Sequence, residues 1–195
     1  MAVVRMVILS DTHGQHRDVR VPNGDLLIHC GDWTKSSSKP KVEDYQDFVS
    51  WMVSLPHPTK VVVSGNKEIF MDTESCLKHQ GKSLSEIESI QQLLMCDGLN
   101  YLCESGFLFH KSDVHLRLWG SPWTRRNGKD GKAFQVEAEQ MKEKWEKVRV
   151  ENVSLEVTPL TWCRFQGTQT SWSPTALPLA GLIPLGEGRR LDAPI

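Results

Sequence analysis

What this chain lacks narrows its class first. No apolar run approaches the roughly 18 residues that a membrane-spanning helix needs, so no membrane partner is expected. The opening MAVVRMVILSD is broken by Arg5 and closed by Asp11, and it has no small-residue cleavage site, so no secretory leader is expected. Neither sign of charge dominates: 23 Lys and Arg stand against 24 Asp and Glu, a net charge of -1. That balance argues against duplex nucleic acid as a partner. Cysteine is sparse and unpaired. The five thiols (Cys30, Cys76, Cys96, Cys103, Cys163) form no CxxC motif, which argues against a disulfide framework or structural zinc and suggests a reduced, cytoplasmic chain. Internal repeats are absent. What is present, 39% hydrophobic and 24% charged residues over 195 positions, suits a folded domain with a core of useful size.

Three early segments rich in β-branched residues are expected to be strands: Val3 to Leu9, DLLIHCGD (25–32) and KVVVSGN (60–66). Each is nearly continuous rather than alternating, the pattern of strands covered on both faces. Between the second and third, Tyr45, Phe48, Met52 and Leu55 recur at helical spacing behind the acids Glu43, Asp44 and Asp47. Strand, helix and strand in that order imply a parallel pair. SLSEIESIQQLLM (83–95) reads as a second helix, with Ser83 and Glu86 at capping-box spacing. Short strands follow, YLCES, FLFHK and VHLRLWG. In the last, Val114, Leu116 and Leu118 share one face, and His115, Arg117 and Trp119 the other. A third helix is expected over 134–148, with a stripe of Phe134, Ala138, Met141, Trp145 and Val148, and NVSLEVT (152–158) suits one more strand. After Thr158 prolines accumulate and no period persists. The chain therefore divides into an α/β layer structure over 1–157 and a poorly specified tail over 158–195.

Each of the first three strands ends in a polar cluster: Asp11-Thr12-His13, Gly31-Asp32 and Gly65-Asn66-Lys67. Ligands of open α/β sheets bind beyond the carboxyl ends of the strands, so these clusters are expected to share one crevice. Asp11 and His13 are two apart and can face the same side. Carboxylate, imidazole, carboxylate and amide oxygen suit a divalent cation of the Mn, Fe or Zn type. Two such cations, about 3.5–4 Å apart, would polarise a phosphoryl oxygen and lower the pKa of bound water.

Asp-x-His, then Gly-Asp, then Gly-Asn, each closing a strand, resembles the calcineurin-like metallophosphoesterases. GSPWT (120–124) and the helix ending KEKWEKV look like the fetal-brain-protein-like subgroup, close to class III cyclic nucleotide phosphodiesterases. The resemblance covers roughly residues 4–157. It implies a four-layer α/β/β/α sandwich and two-metal hydrolysis of a phosphodiester or phosphomonoester. Carried over by motif, Asp11 and His13 would bind the first metal, Asp32 would bridge, and Asn66 would bind the second. Asn66, Lys67 and His16 are the substrate-binding candidates. The implied partner is a small phosphoester, with a nucleotide as the resemblance-based choice. For His16, a solvated loop position is the competing reading.

Two departures from the family pattern bear on activity. Gly65-Asn66-Lys67-Glu68 stands where the family has Gly-Asn-His-Glu. An ordinary lysine, with a pKa of about 10.4, is a poorer general acid at pH 7 than histidine at about 6.5. Further, no histidine follows His115, where the family supplies more ligands from later strand ends. A sandwich missing or replaced after about residue 157, with a weak second metal site and impaired catalysis, is expected. The rival expectation is an inactive relative that binds a nucleotide or a protein. Among the remaining histidines, His29 is expected in the core, and His110 and His115 on a solvated hairpin. Trp119 and Trp123 could wall the crevice or simply pack.

Overall fold

The computed structural model describes residues 3–126, 128 and 131–150, the side chains of 147–150 excepted. Four strands, β1 (Met6–Leu9), β2 (Leu26–His29), β3 (Thr59–Val63) and β4 (Asn100–Leu102), form a parallel sheet in the order β1-β2-β3-β4. The three expected strands are present, each shorter than its expected span: β2 and β3 end before their polar C-terminal residues, and β1 begins at Met6. All four residues of β2 are buried, which accounts for its unbroken Leu-Leu-Ile-His character.

The sheet is covered on two sides by different elements. Val7, Leu9, Leu27 and Val62 face a core shared with α1 (Val42–Ser54), α2 (Thr73–Gln80) and α3 (Leu84–Gln91), through Tyr45, Phe48, Met52, Cys76, Ile87 and Ile90. The alternate residues Leu26, Ile28, Val61, Val63 and Leu102 face Phe109, Leu116 and Leu118 of an antiparallel hairpin, β5 (Ser105–Lys111) and β6 (Val114–Gly120). Helices, parallel sheet and hairpin thus stack as α, β and β layers, the α/β arrangement that the resemblance implies. Full burial of side chains such as Leu27 or Ile28 is worth about 1.5–3 kcal/mol each, and both are at most 1% exposed.

Local signals explain most element ends. At α3, the Ser83 side chain accepts the Glu86 N–H and Glu86 reaches back to the Ser83 N–H, completing the expected capping box. The apolar stripe beyond α3 continues as a one-turn 3-10 helix, Gln92–Met95. In β6, Leu116 and Leu118 are buried and His115 is exposed, as alternation requires.

Two features depart from the sequence reading. Helix α2 was not expected: TESCLKHQ buries only Cys76, so it has no stripe, and its Asp72 N-cap and left-handed Gly81 are the only local marks. The third helix, α4 (Ala138–Val150), starts four residues late. Phe134 has φ +53°, outside the helical region, and leads into the short strand β8 (Gln135–Val136), paired with β7 (Thr124–Arg125). Phe134 is buried nonetheless, edge-on to Trp123 at 5.7 Å, while Ala138 is exposed and Trp145 only partly covered. Its regular spacing with α4 therefore coincides with a packing role off the helix. Residues 151–195, including the expected strand 152–158 and the tail 158–195, lie outside the described residues. No described helix is long and apolar enough to cross a membrane.

Candidate metal centre

Beyond the last ladder pairs, the loops after β1 and β2 continue side by side. The N–H groups of Asp11, His13 and Gly14 donate to the carbonyls of Gly31, Asp32 and Trp33 at 3.0, 3.0 and 2.7 Å. Following them costs backbone strain: Asp11, His13 and Asp32 have φ of +55°, +44° and +54°. The left-handed region costs a non-glycine residue about 1–2 kcal/mol. Such strain persists only where the surroundings impose it, and it concentrates at functional sites.

The alternation of the first loop sorts its side chains. Thr12 points inward, and its hydroxyl lies 3.1 Å from His29 Nε2 in the core. Asp11 and His13 point the other way, 41% and 42% exposed, with carboxylate oxygen and Nε2 3.7 Å apart. Asp32 joins them from the second loop, so one ligand atom from each of Asp11, His13 and Asp32 lies within 4.8 Å of the others. The His13 Nδ1 lies 3.4 Å from the Thr34 carbonyl, an orientation that leaves Nε2 as the free ligand atom.

The loop after β3 enters this crevice at van der Waals limits. A Cβ on Gly31 (φ +97°) would sit 2.5 Å from Gly65 N, and one on Gly65 would sit 2.3 Å from an Asp32 carboxylate oxygen. Both positions exclude a side chain because the loop backbones and the Asp32 carboxylate occupy that space. The Asp32 carboxylate also accepts the Lys67 N–H at 3.1 Å. Burial pushes the Asp32 carboxyl above its ordinary range, with the Asp11 carboxylate adding to the effect. A bound cation would relieve both costs by favouring the charged form.

Asn66 tests the fit of a second cation. Its side-chain oxygen is buried and finds no hydrogen-bond donor among the described residues. An orphaned carbonyl oxygen costs about 1–3 kcal/mol unless something occupies it, and a divalent cation would. The donor set of two carboxylates, one imidazole and one amide oxygen is the mixture that Mn, Fe or Zn accepts.

The other sequence candidates are placed elsewhere. His16 is 2% exposed, so it is no surface-loop residue; its Nε2 lies 3.0 Å from Asp47, and its ring packs against Phe48 and Trp51. Burial lowers its pKa despite Asp47. His29 is fully buried between Trp33 and Phe48, as expected, and burial depresses its pKa to about 3. His110 and His115 face each other across the β5–β6 hairpin with their Nδ1 atoms in contact, and both are exposed. Trp123 packs on the core beneath the Lys144 ammonium, 3.8 Å above its ring. The sequence reading missed Glu68. It is fully buried at the edge of the centre and accepts three backbone N–H groups from the two later loops. Burial and the Asp32 charge push its carboxyl up to about 7. Its place after Gly-Asn-Lys was the only signal.

Comparison with known proteins agrees with the motif reading. No family model matches the chain. It is 30% identical over 124 residues to the human metallophosphoesterase domain-containing protein 1, covering 61% of this chain and 37% of that protein. It is 32% identical over 159 residues to a UPF0046 protein of Caenorhabditis elegans, covering 80% of this chain and 51% of that protein. A third relative, of Emericella nidulans, is named "Probable rhamnogalacturonate lyase C". The identity is 32% over 126 residues, but only 11% of that protein is spanned. The chain spans about half or less of the length of these relatives.

Proposed function

We infer that this chain, homologous to the metallophosphoesterase superfamily, hydrolyses phosphoesters with metal ions held where β1, β2 and β3 end. One observation carries the reading: the ligand atoms of Asp11, His13 and Asp32 converge within 4.8 Å. The orphaned side-chain oxygen of Asn66 supports a second cation, which Asn66 and Asp32 would hold. Divalent cations held there would polarise a phosphoryl oxygen and lower the pKa of bound water toward neutrality.

The chain's own residues set the geometry. The Thr34 carbonyl orients His13 through Nδ1, and the strained loops hold Asp11 and Asp32 toward one point. Lys67 supplies a positive charge for the phosphate. It is a weaker proton donor than the histidine of the family motif, so rates should depend strongly on the leaving group, and general acid help is worth on the order of 10²–10⁴ in rate. The substrate proposed is a small phosphodiester of the cyclic nucleotide kind, on the resemblance of GSPWT and the following helix to class III phosphodiesterases.

The test is Mn²⁺-dependent hydrolysis of a chromogenic aryl phosphodiester, with Asp32→Asn as control. Turnover that requires metal and vanishes in the control is expected. Folded, Mn²⁺-loaded protein without turnover on aryl and cyclic nucleotide substrates would overturn the hydrolase reading in favour of a binding module.

A further inference from the structure

We propose that Glu68 is the positioning residue of this centre, holding the loops after β2 and β3 at the separation that lets Asp32 and Asn66 face one crevice. The proposal rests on reading Asp11, His13 and Asp32 as metal ligands. The last ladder pair between β2 and β3 is His29 with Val62. Past that point the sheet no longer sets the distance between the strands, yet the ligands stand three and four residues further on.

The Glu68 carboxylate takes over that task. One oxygen accepts the Asp32 N–H at 2.8 Å and the Gly65 N–H at 2.7 Å. The other accepts the Thr34 N–H at 2.9 Å and lies 3.0 Å from the Thr34 hydroxyl. That hydroxyl also lies 3.1 Å from the Lys67 carbonyl. In return, the Asp32 carboxylate accepts the Lys67 N–H at 3.1 Å. The two loops are therefore tied in both directions, each through an acidic side chain. Four donors occupy the roughly four lone-pair directions of the Glu68 carboxylate. With 0% exposure and no lone pair to spare, Glu68 acts through Asp32 and Asn66 and is not itself a ligand. The Gly31 and Gly65 contacts make the same point sterically: the loops pass so closely that a small shift moves the Asp32 carboxylate.

Glu68→Gln tests this with almost no change in volume. It replaces one acceptor oxygen with an NH₂ group, which then faces N–H donors. Binding of Mn²⁺ to the whole chain is titrated by electron paramagnetic resonance, with near-UV circular dichroism and urea unfolding alongside. A 10–100-fold loss of Mn²⁺ affinity in a folded protein is expected, the range for groups that orient metal ligands. Thr34→Val, which removes the hydroxyl and keeps the N–H, should lose a few-fold. Ile87→Val, a core change in α3, should leave Mn²⁺ affinity unaltered. Unchanged affinity in folded Glu68→Gln overturns the proposal. So does unchanged affinity in Thr34→Val if Glu68→Gln does not fold, or a loss in Ile87→Val that matches its loss of stability. If the unaltered chain binds no Mn²⁺, the metal-site reading itself falls and the proposal falls with it.

Discussion

His29 provides a quantitative test of how the core beneath the crevice is built. It is fully buried between Trp33 and Phe48, and its pKa is depressed to about 3. In the unfolded chain the same ring titrates near 6.5. Between these values the unfolded state binds a proton that the native state refuses. Stability from this residue is therefore complete above pH 6.5 and falls as the pH drops, by about 1.4 kcal/mol per unit. At pH 5 the loss should be about 2 kcal/mol. Other groups act in the same interval. Burial also lowers His16, which adds to the acid loss. Glu68, raised to about 7, works in the opposite sense, because the native state takes up its proton first as the pH falls. The carboxylates of Asp25, Asp47 and Glu86, held low by their hydrogen bonds, lose their contributions only in stronger acid. The slope of the unaltered protein thus mixes opposing effects, and the comparison with His29→Gln isolates one. Glutamine is neutral throughout. Urea unfolding in EDTA, followed by tryptophan fluorescence at pH 7.5, 6.5, 5.5 and 5.0, should show the variant less stable at pH 7.5. The gap should narrow by about 2 kcal/mol at pH 5. A gap that stays constant across the range would refute the buried, neutral state of His29.

Other expectations follow from single contacts. Gly65→Ala places a methyl group 2.3 Å from the Asp32 carboxylate, so Mn²⁺ affinity should fall at least tenfold in a folded protein, measured by isothermal titration. Ser83→Ala removes one half of the α3 capping box and should cost about 1 kcal/mol in urea unfolding without altering Mn²⁺ binding. Phe48→Ala removes the ring stacked on Trp33 at 4.5 Å and should cost about 3–5 kcal/mol, read as a lowered denaturation midpoint. Asp32→Asn should abolish metal-dependent turnover and, by relieving a buried carboxylate, leave the metal-free fold no less stable in urea.

Much of this protein is determined by local sequence. The strands β1, β2 and β3 follow from β-branched runs, which bury both faces in β2 and β3 but leave Ile8 of the edge strand β1 exposed, and α1 and α3 follow from apolar stripes behind acids or a capping box. The proposed ligands Asp11, His13, Asp32 and Asn66 are legible because each closes a strand, and strand ends in a parallel sheet converge whatever the intervening residues. Tertiary structure decided the rest, for a common physical reason: the deciding partner is far away in sequence. Glu68 is defined by backbone donors at Asp32 and Thr34, more than thirty positions earlier. His16 is buried by Asp47, Phe48 and Trp51 on α1, not by anything in its own loop. Phe134 fits a helical stripe by spacing, yet its N–H donates to the Asp72 carboxylate and its backbone turns left-handed before α4 begins. Periodicity records which residues prefer burial. Only the packed chain determines which neighbour satisfies each polar group, and that assignment makes three strand ends one site.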